Sequence, residues 1–272
     1  MKKKGLFSPR ALFIYIAVLM GLMIYIFGPA SQTNSEKKMT PPSQQNKQHK
    51  TKKEESSSIF DWMKKEDLSE VDFDERLATV AAKVGNKVFI RIFKKESLLE
   101  VWIKPAHEYV LFKRYPICKY SGYLGPKLKE GDKQSPEGFY KVSKGLLNPN
   151  SKYHLAFNLG YPNAYDRSHK RTGSYLMVHG ECVSIGCYAM TNSKIEEIYK
   201  LVDKALRKGQ KYVQVHAYPF FMTEENMAQY QDSKWYDFWT QLKEGYDYFE
   251  AEKLPPTIKV ENKHYTIHEA NQ

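Results

Sequence analysis

Seven short runs of β-branched and aromatic residues recur between Val88 and His216, and they restrict the chain to a fold built mainly on sheets. They are Val88–Phe93, Leu98–Ile103, Glu108–Phe112, Phe139–Val142, His154–Phe157, Tyr175–Val178 and Tyr212–His216, divided by Lys-Lys-Glu or Pro-containing turns. Side chains of this kind fit a pleated, half-buried surface. Their close spacing predicts an α+β fold that is mostly a β-sandwich or barrel-like core with a few peripheral helices. Asp72–Lys83 reads as a short helix ended at Gly85. A clearer helix starts at the capping-box pattern Ser193-Lys-Ile-Glu196, repeats Ile195, Ile198, Leu201, Val202 and Leu206, and stops at Gly209. Glu224–Gln231 and Lys234–Phe249 read as two more, the second with Trp235, Phe238, Trp239 and Leu242 as a packing face. The tail from Lys253, with its Tyr265–Ile267 run, reads as peripheral.

The N-terminus points to the compartment. Lys2, Lys3, Lys4 and Arg10 precede an apolar run, Ala11–Phe27, that carries no charge. A basic flank before an apolar core is the layout of a secretory signal or a signal anchor. The run lies where the two overlap, since signal cores take about 7–15 residues and spanning helices about 17–25. Bulky residues up to its end favour one uncleaved transmembrane helix, in the inner membrane through residues 11–27. Gly28-Pro29-Ala30 is where a cleaved, secreted form would be cut. Ser31–Ser58 holds almost nothing to bury and reads as a disordered tether. The formal charge is +11, from 42 basic and 31 acidic residues. In an exported chain this charge meets anionic envelope polymers and lipid. No nucleic-acid motif is present, and no nucleic-acid partner is expected.

The segment Tyr175–Met190 brings His179 and Cys187 within eight positions of each other. A thiol is a strong nucleophile at neutral pH only where its thiolate is favoured, and a neighbouring imidazole is the usual agent. Ser184 and Gly186 leave room for a carbonyl and let backbone N–H groups meet an oxyanion. One alternative is a small buried apolar cysteine. Another is a zinc site from His179, Cys182 and Cys187, which lacks paired ligand spacing and a fourth ligand. Neither a metal nor a cofactor is expected. Cys118, Cys182 and Cys187 are an odd set, so in an oxidising compartment at least one thiol stays unpaired. Whether Cys118 pairs with Cys182 is open at this level.

Set beside Gly131-Asp132-x-x-Ser135-Pro136-Glu137-Gly138-Phe139-Tyr140, the thiol segment makes the chain resemble the L,D-transpeptidase (YkuD-type) catalytic domain, and most closely its YafK branch. The matching blocks run from about Val88 to Met222 and include Ile117–Gly122, Gly160–Arg167, His179-Gly180 and Ser184-x-Gly186-Cys187. The resemblance implies a mostly β domain acting on the peptide stems of peptidoglycan in the cell envelope, with Cys187 as nucleophile and His179 as general base. It implies orienting or oxyanion roles for Gly180, Ser184 and Gly186. Two positions depart from the family pattern. Ile185 stands where a second His is common, and Ala189 where an Arg is common. Lys119, Arg167 and Arg171 are candidates to take over a carboxylate from that Arg. Ser135 and Gly138 either shape a turn beside the cleft or touch substrate. Asp166 is a candidate to orient His179, and a backbone carbonyl is an equal one. His154, His169 and His216 read as structural or exposed.

The expected layout is an anchor over residues 1–30, a tether over 31–58, a short helical lead-in over 59–86, a catalytic domain over 87–222 and a helical extension with tail over 223–272. The expected chemistry is a periplasmic Cys-His acyl-enzyme cycle on stem peptides. Water as acceptor makes the chain an amidase that frees peptidoglycan-linked outer-membrane lipoprotein, and the two departures lean that way. An amine as acceptor makes it an L,D-transpeptidase that forms cross-links or attaches lipoprotein. A tethered, non-catalytic wall-binding module is the reading from a different class, drawn from the abundance of Tyr.

Overall fold

A computed structural model describes residues 71–270. The expected anchor, tether and first part of the lead-in lie outside the described residues. Within them no helix is long and apolar enough to cross a membrane. In chain order the elements are α1 (Phe73–Thr79), β1 (Lys87–Phe93), β2 (Leu98–Lys104), β3 (Val110–Pro116), β4 (Gly138–Val142), β5 (Leu147–Ser151), β6 (His154–Asn158) and α2 (Ala164–Ser168). Then follow β7 (Met177–His179), β8 (Tyr188–Ala189), α3 (Asn192–Arg207), β9 (Val213–Tyr218), α4 (Glu224–Gln229), α5 (Tyr236–Glu252), β10 (Thr257–Glu261) and β11 (His264–His268). The fold is α+β, on two mixed sheets and a hairpin. One sheet has the order β3-β2-β1-β9-β4, the other β5-β6-β7-β8, and β10 pairs with β11.

The five-stranded sheet is buried on both faces, which is why β1 and β2 are apolar almost throughout rather than alternating. Val88, Ile90, Ile92, Leu99, Val101 and Ile103 join the main core with α3 and the smaller sheet. Their neighbours Phe89, Phe93 and Trp102 face the other way, onto two clusters built with α5. Helices therefore form covering layers here and are not peripheral. α3 alone buries Ile195, Ile198, Leu201, Val202, Ala205 and Leu206, at about 1.5–3 kcal/mol for each large apolar side chain. The tail is not peripheral either, because Tyr265 sits with Phe139, Phe238 and Trp239 in one apolar cluster. Ser193 does not cap α3: the N-cap is Thr191, without a side-chain hydrogen bond. A complete capping box occurs instead at Asn163 and Asp166, before α2.

β7 and β8 run parallel, with Val178 opposite Tyr188 and His179 opposite Ala189. A parallel crossover usually takes about a dozen residues or more, yet these strands are joined by segment 180–187 alone. They are short enough for the chain to fold straight back. Glu181 (φ 68°), Cys182 (φ 50°) and Gly186 (φ 146°) make the reversals, and a disulfide from Cys182 to Cys118 ties the segment down.

Candidate active site

The strand register determines what His179 and Cys187 can do together. Val178 and Tyr188 are opposite each other and both enter the main core. Side chains alternate along a strand, so His179 projects to the other face, while Cys187 immediately precedes β8 and turns its sulfur onto the main chain of Met177 and Tyr175. His179 and Cys187 are diagonal neighbours, roughly 8 Å apart at Cα from the spacing within and between strands. That separation is within the joint reach of an imidazole and a thiol.

Cys187 is the free cysteine, since Cys118 and Cys182 are bonded to each other. This also removes Cys182 as a metal ligand. The Cys187 sulfur accepts the Met177 N–H at 3.4 Å and donates to Tyr175 O at 3.6 Å. No hydrogen bond joins it to His179 among the described residues. Burial pushes its pKa up, opposed by the Met177 N–H and the charge of Lys127. Burial likewise holds His179 below its ordinary pKa. Both shifts favour the neutral thiol and the neutral imidazole over a preformed thiolate.

The imidazole has a defined tautomer. Nδ1 lies 2.6 Å from Gly180 O, and a carbonyl can only accept, so Nδ1 carries the proton. The lone pair is left on Nε2, the nitrogen a base would use. Gly180 is required for space: a Cβ there would lie 2.5 Å from Asn192 Oδ1 and 3.0 Å from Tyr153 O. Gly186 is required for its φ of 146°, a region other residues rarely enter.

Two hydroxyls grip the main chain of Cys187. Ser184 Oγ donates to Cys187 O at 2.7 Å, and Ser135 Oγ donates to the same oxygen at 3.1 Å. Ser184 Oγ also accepts the Gly186 N–H at 3.2 Å, which occupies one of the N–H groups expected to meet an oxyanion. Ser135 therefore touches the backbone of Cys187. Behind it, sequence reasoning missed a buried hub. Lys94 Nζ donates to Tyr123 O, Gly125 O, Ser135 O and Glu137 Oε1 at 2.7–3.1 Å. Glu137 also accepts from Gly125 N at 2.7 Å and from Trp239 Nε1 at 2.8 Å. Lys94 and Glu137 are 43 positions apart, and no local pattern pairs them.

The weaker candidates divide. Asp166 does not reach His179: it accepts from Arg171 Nη1 at 2.8 Å, from Tyr140 OH at 3.3 Å and from Asn163 N. Gly180 O orients the imidazole instead. Arg171 is buried against Asp166, with its guanidinium over Tyr165 and Phe238, so it does not face a substrate. Arg167 is exposed and donates to Pro162 O. Gly138 opens β4, where a Cβ would collide with Tyr265 OH at 2.8 Å. Lys119 is brought to the site. Its backbone exchanges both hydrogen bonds with Ala189, which is opposite His179, and facing residues of such pairs project to one side, so its exposed side chain shares the face of His179. His216 is buried among Phe89, Phe139 and Tyr218, and His154 pairs with Glu196. Three of the large exposed apolar residues lie on the segment that carries His179 and Cys187: Tyr175 and Ile185, 74% and 79% exposed, and Val183.

The chain belongs to the L,D-transpeptidase family. The model of the YkuD L,D-transpeptidase catalytic domain matches residues 87–215. Over 184 residues the chain is 54% identical to "Putative L,D-transpeptidase YafK" of Escherichia coli K12, covering 68% of this chain and 75% of the relative. The protein of the same name from Escherichia coli O157:H7 matches to the same extent. Among solved structures, the helical cell shape determining protein Pgp2 (K307A mutant) of Campylobacter jejuni aligns with a TM-score of 0.41 at 21% identity, over 67% of this chain and 66% of that one.

Proposed function

We propose that this chain is a cell-envelope enzyme that cleaves amide bonds at peptidoglycan stem peptides through an acyl-enzyme on Cys187, with His179 as base. The observation that carries the reading is a free thiol one residue before β8, beside the paired strand β7 that carries an imidazole whose Nε2 is left as the acceptor. On substrate binding the thiol turns from Tyr175 O to Nε2, its proton passes to the imidazole, and sulfur attacks the stem carbonyl. The tetrahedral oxyanion is met by the backbone N–H of Cys187, since that of Gly186 is taken by Ser184 Oγ. The imidazolium returns the proton to the departing amine, leaving a thioester. Water, deprotonated by the same Nε2, then releases the acid and restores the thiol. Lys119 is positioned to receive a stem carboxylate in place of the arginine that Ala189 lacks.

Hydrolysis of the link between peptidoglycan and an outer-membrane lipoprotein is the preferred outcome, on the family departures at Ile185 and Ala189. The second reading is L,D-transpeptidation, favoured by the name the relatives carry. In both, residues 11–27 anchor the domain in the inner membrane with the site in the periplasm. Incubation with sacculi, with and without attached lipoprotein, tests the choice by product mass. Free lipoprotein carrying no stem fragment supports hydrolysis, new cross-linked muropeptides support transfer, and binding without products supports a wall-binding module. His179→Ala is expected to slow product formation about 10²–10⁴-fold. A loss under tenfold removes His179 as base.

A further inference from the structure

Tyr153 follows β5 at the turn into β6. Its side chain is well exposed, yet its ring lies over the imidazole of His179 with centroids 4.7 Å apart and planes tilted by 32°. The turn is seated by its backbone. Tyr153 O accepts the Gly180 N–H at 3.0 Å, and Tyr153 N–H is capped by Ser151 Oγ at 3.0 Å. The absent side chain of Gly180 makes this approach possible, since a Cβ would lie 3.0 Å from Tyr153 O and 3.2 Å from His154 Cβ. A ring that is 43% exposed over an imidazole that is 2% exposed stands between that imidazole and water.

We propose that Tyr153 is a positioning residue for His179: its ring sets the plane of the imidazole, aiming Nε2 at the nucleophile, and shields one face of the base from solvent while leaving the Nε2 edge open to the deacylating water. This rests on the reading of His179 as base. Two contacts hold the imidazole, the Nδ1–H bond to Gly180 O and the tyrosine ring. The first fixes one point, and the second fixes rotation about it. The neighbouring charges are engaged elsewhere or point to solvent. Glu196 pairs with His154 at 2.6 Å, and Glu181 accepts from Asn192 Nδ2 at 2.8 Å. Lys119 and Lys152 are exposed, and burial favours the neutral thiol. Burial holds the imidazole below its ordinary pKa, so uncovering it moves its titration up toward the ordinary histidine value.

The test compares Tyr153→Ala, Tyr153→Phe and His179→Ala in the full-length protein. It follows kcat and KM on lipoprotein-bearing sacculi and the pH profile of Cys187 alkylation by iodoacetamide, which needs no substrate. Tyr153→Ala is expected to lower kcat about ten- to hundredfold with KM within about twofold, and to shift the acid limb of alkylation to higher pH. Tyr153→Phe keeps the ring and restores both. Should the alanine variant fail to fold, Tyr153→Leu, which keeps apolar bulk without a planar ring, is read against the same limits. A wild-type rate in His179→Ala overturns the base itself. A large loss in His179→Ala together with wild-type kcat and acid limb in the Ala or Leu variant overturns the role of Tyr153 alone.

Discussion

Replacing Glu137 by Gln exchanges one oxygen for an amide nitrogen at a fully buried position. Three donors converge on that carboxylate: Lys94 Nζ at 3.0 Å and Gly125 N at 2.7 Å on Oε1, and Trp239 Nε1 at 2.8 Å on Oε2. A carboxylate accepts all three. A carboxamide has a single oxygen, so at least one donor must face an NH2. An unpaired buried donor costs about 1–3 kcal/mol. Lys94 and Glu137 are both 0% exposed, and removing one charge of a buried pair costs about 3–5 kcal/mol. The two penalties overlap, and the expected loss is about 3–5 kcal/mol, roughly 6–20 °C in melting temperature for a domain of this size. Tryptophan fluorescence during thermal and urea unfolding of the full-length protein reads it. The double variant Lys94→Met/Glu137→Gln removes both charges and is expected to recover part of the loss. A single-variant cost below about 1 kcal/mol, or a double variant as costly as the two singles added, refutes the reasoning.

The Asp166→Asn variant is expected to lose stability, because Arg171 stays buried without its partner. Its kcat is expected to remain within about threefold of wild type when measured on folded protein, since Asp166 does not touch His179. A shifted pH profile contradicts that placement. Cys118→Ser with Cys182→Ser opens a loop closed over a separation of 64 residues, an expected loss of about 2–4 kcal/mol in urea unfolding. Slower Cys187 alkylation is expected with it, because segment 180–187 loses its tie. Gly186→Ala forces a φ of 146° on a residue with a Cβ, a strain of about 1–3 kcal/mol. Activity is expected to fall at least about tenfold with little change in circular dichroism, and an active variant refutes the need for that turn.

Most strands were legible because β-branched and aromatic residues cluster in them, and a sheet covered on both faces reads as nearly continuous apolar runs. β5 was not, because Leu-Asn-Pro-Asn-Ser reads as a turn, and it is held as a strand only by pairing with β6. β8, Tyr188–Ala189, is too short to carry a pattern. The tail looked peripheral because its strands are half exposed, yet Tyr265 reaches the core. At the site, the candidates Cys187, His179 and the Ser135 block are each local in sequence, so pattern alone singles them out. Charged groups were harder. Asp166 and Arg171 look free to serve a cleft until the fold shows them paired with each other, and Lys94 finds Glu137 only across the sheet. Tyr153 gave no signal, because its role depends on which turn lands on the imidazole.

The proposed cycle passes through a thioester in which Cys187 carries the substrate's acyl group. Acid-quenched full-length protein, taken during turnover of sacculi and digested for mass spectrometry, tests it most directly. A stem-peptide increment on the Cys187 peptide, removed by hydroxylamine and absent from Cys187→Ala along with all product, is the expected result. Product formation at the wild-type rate by Cys187→Ala contradicts it.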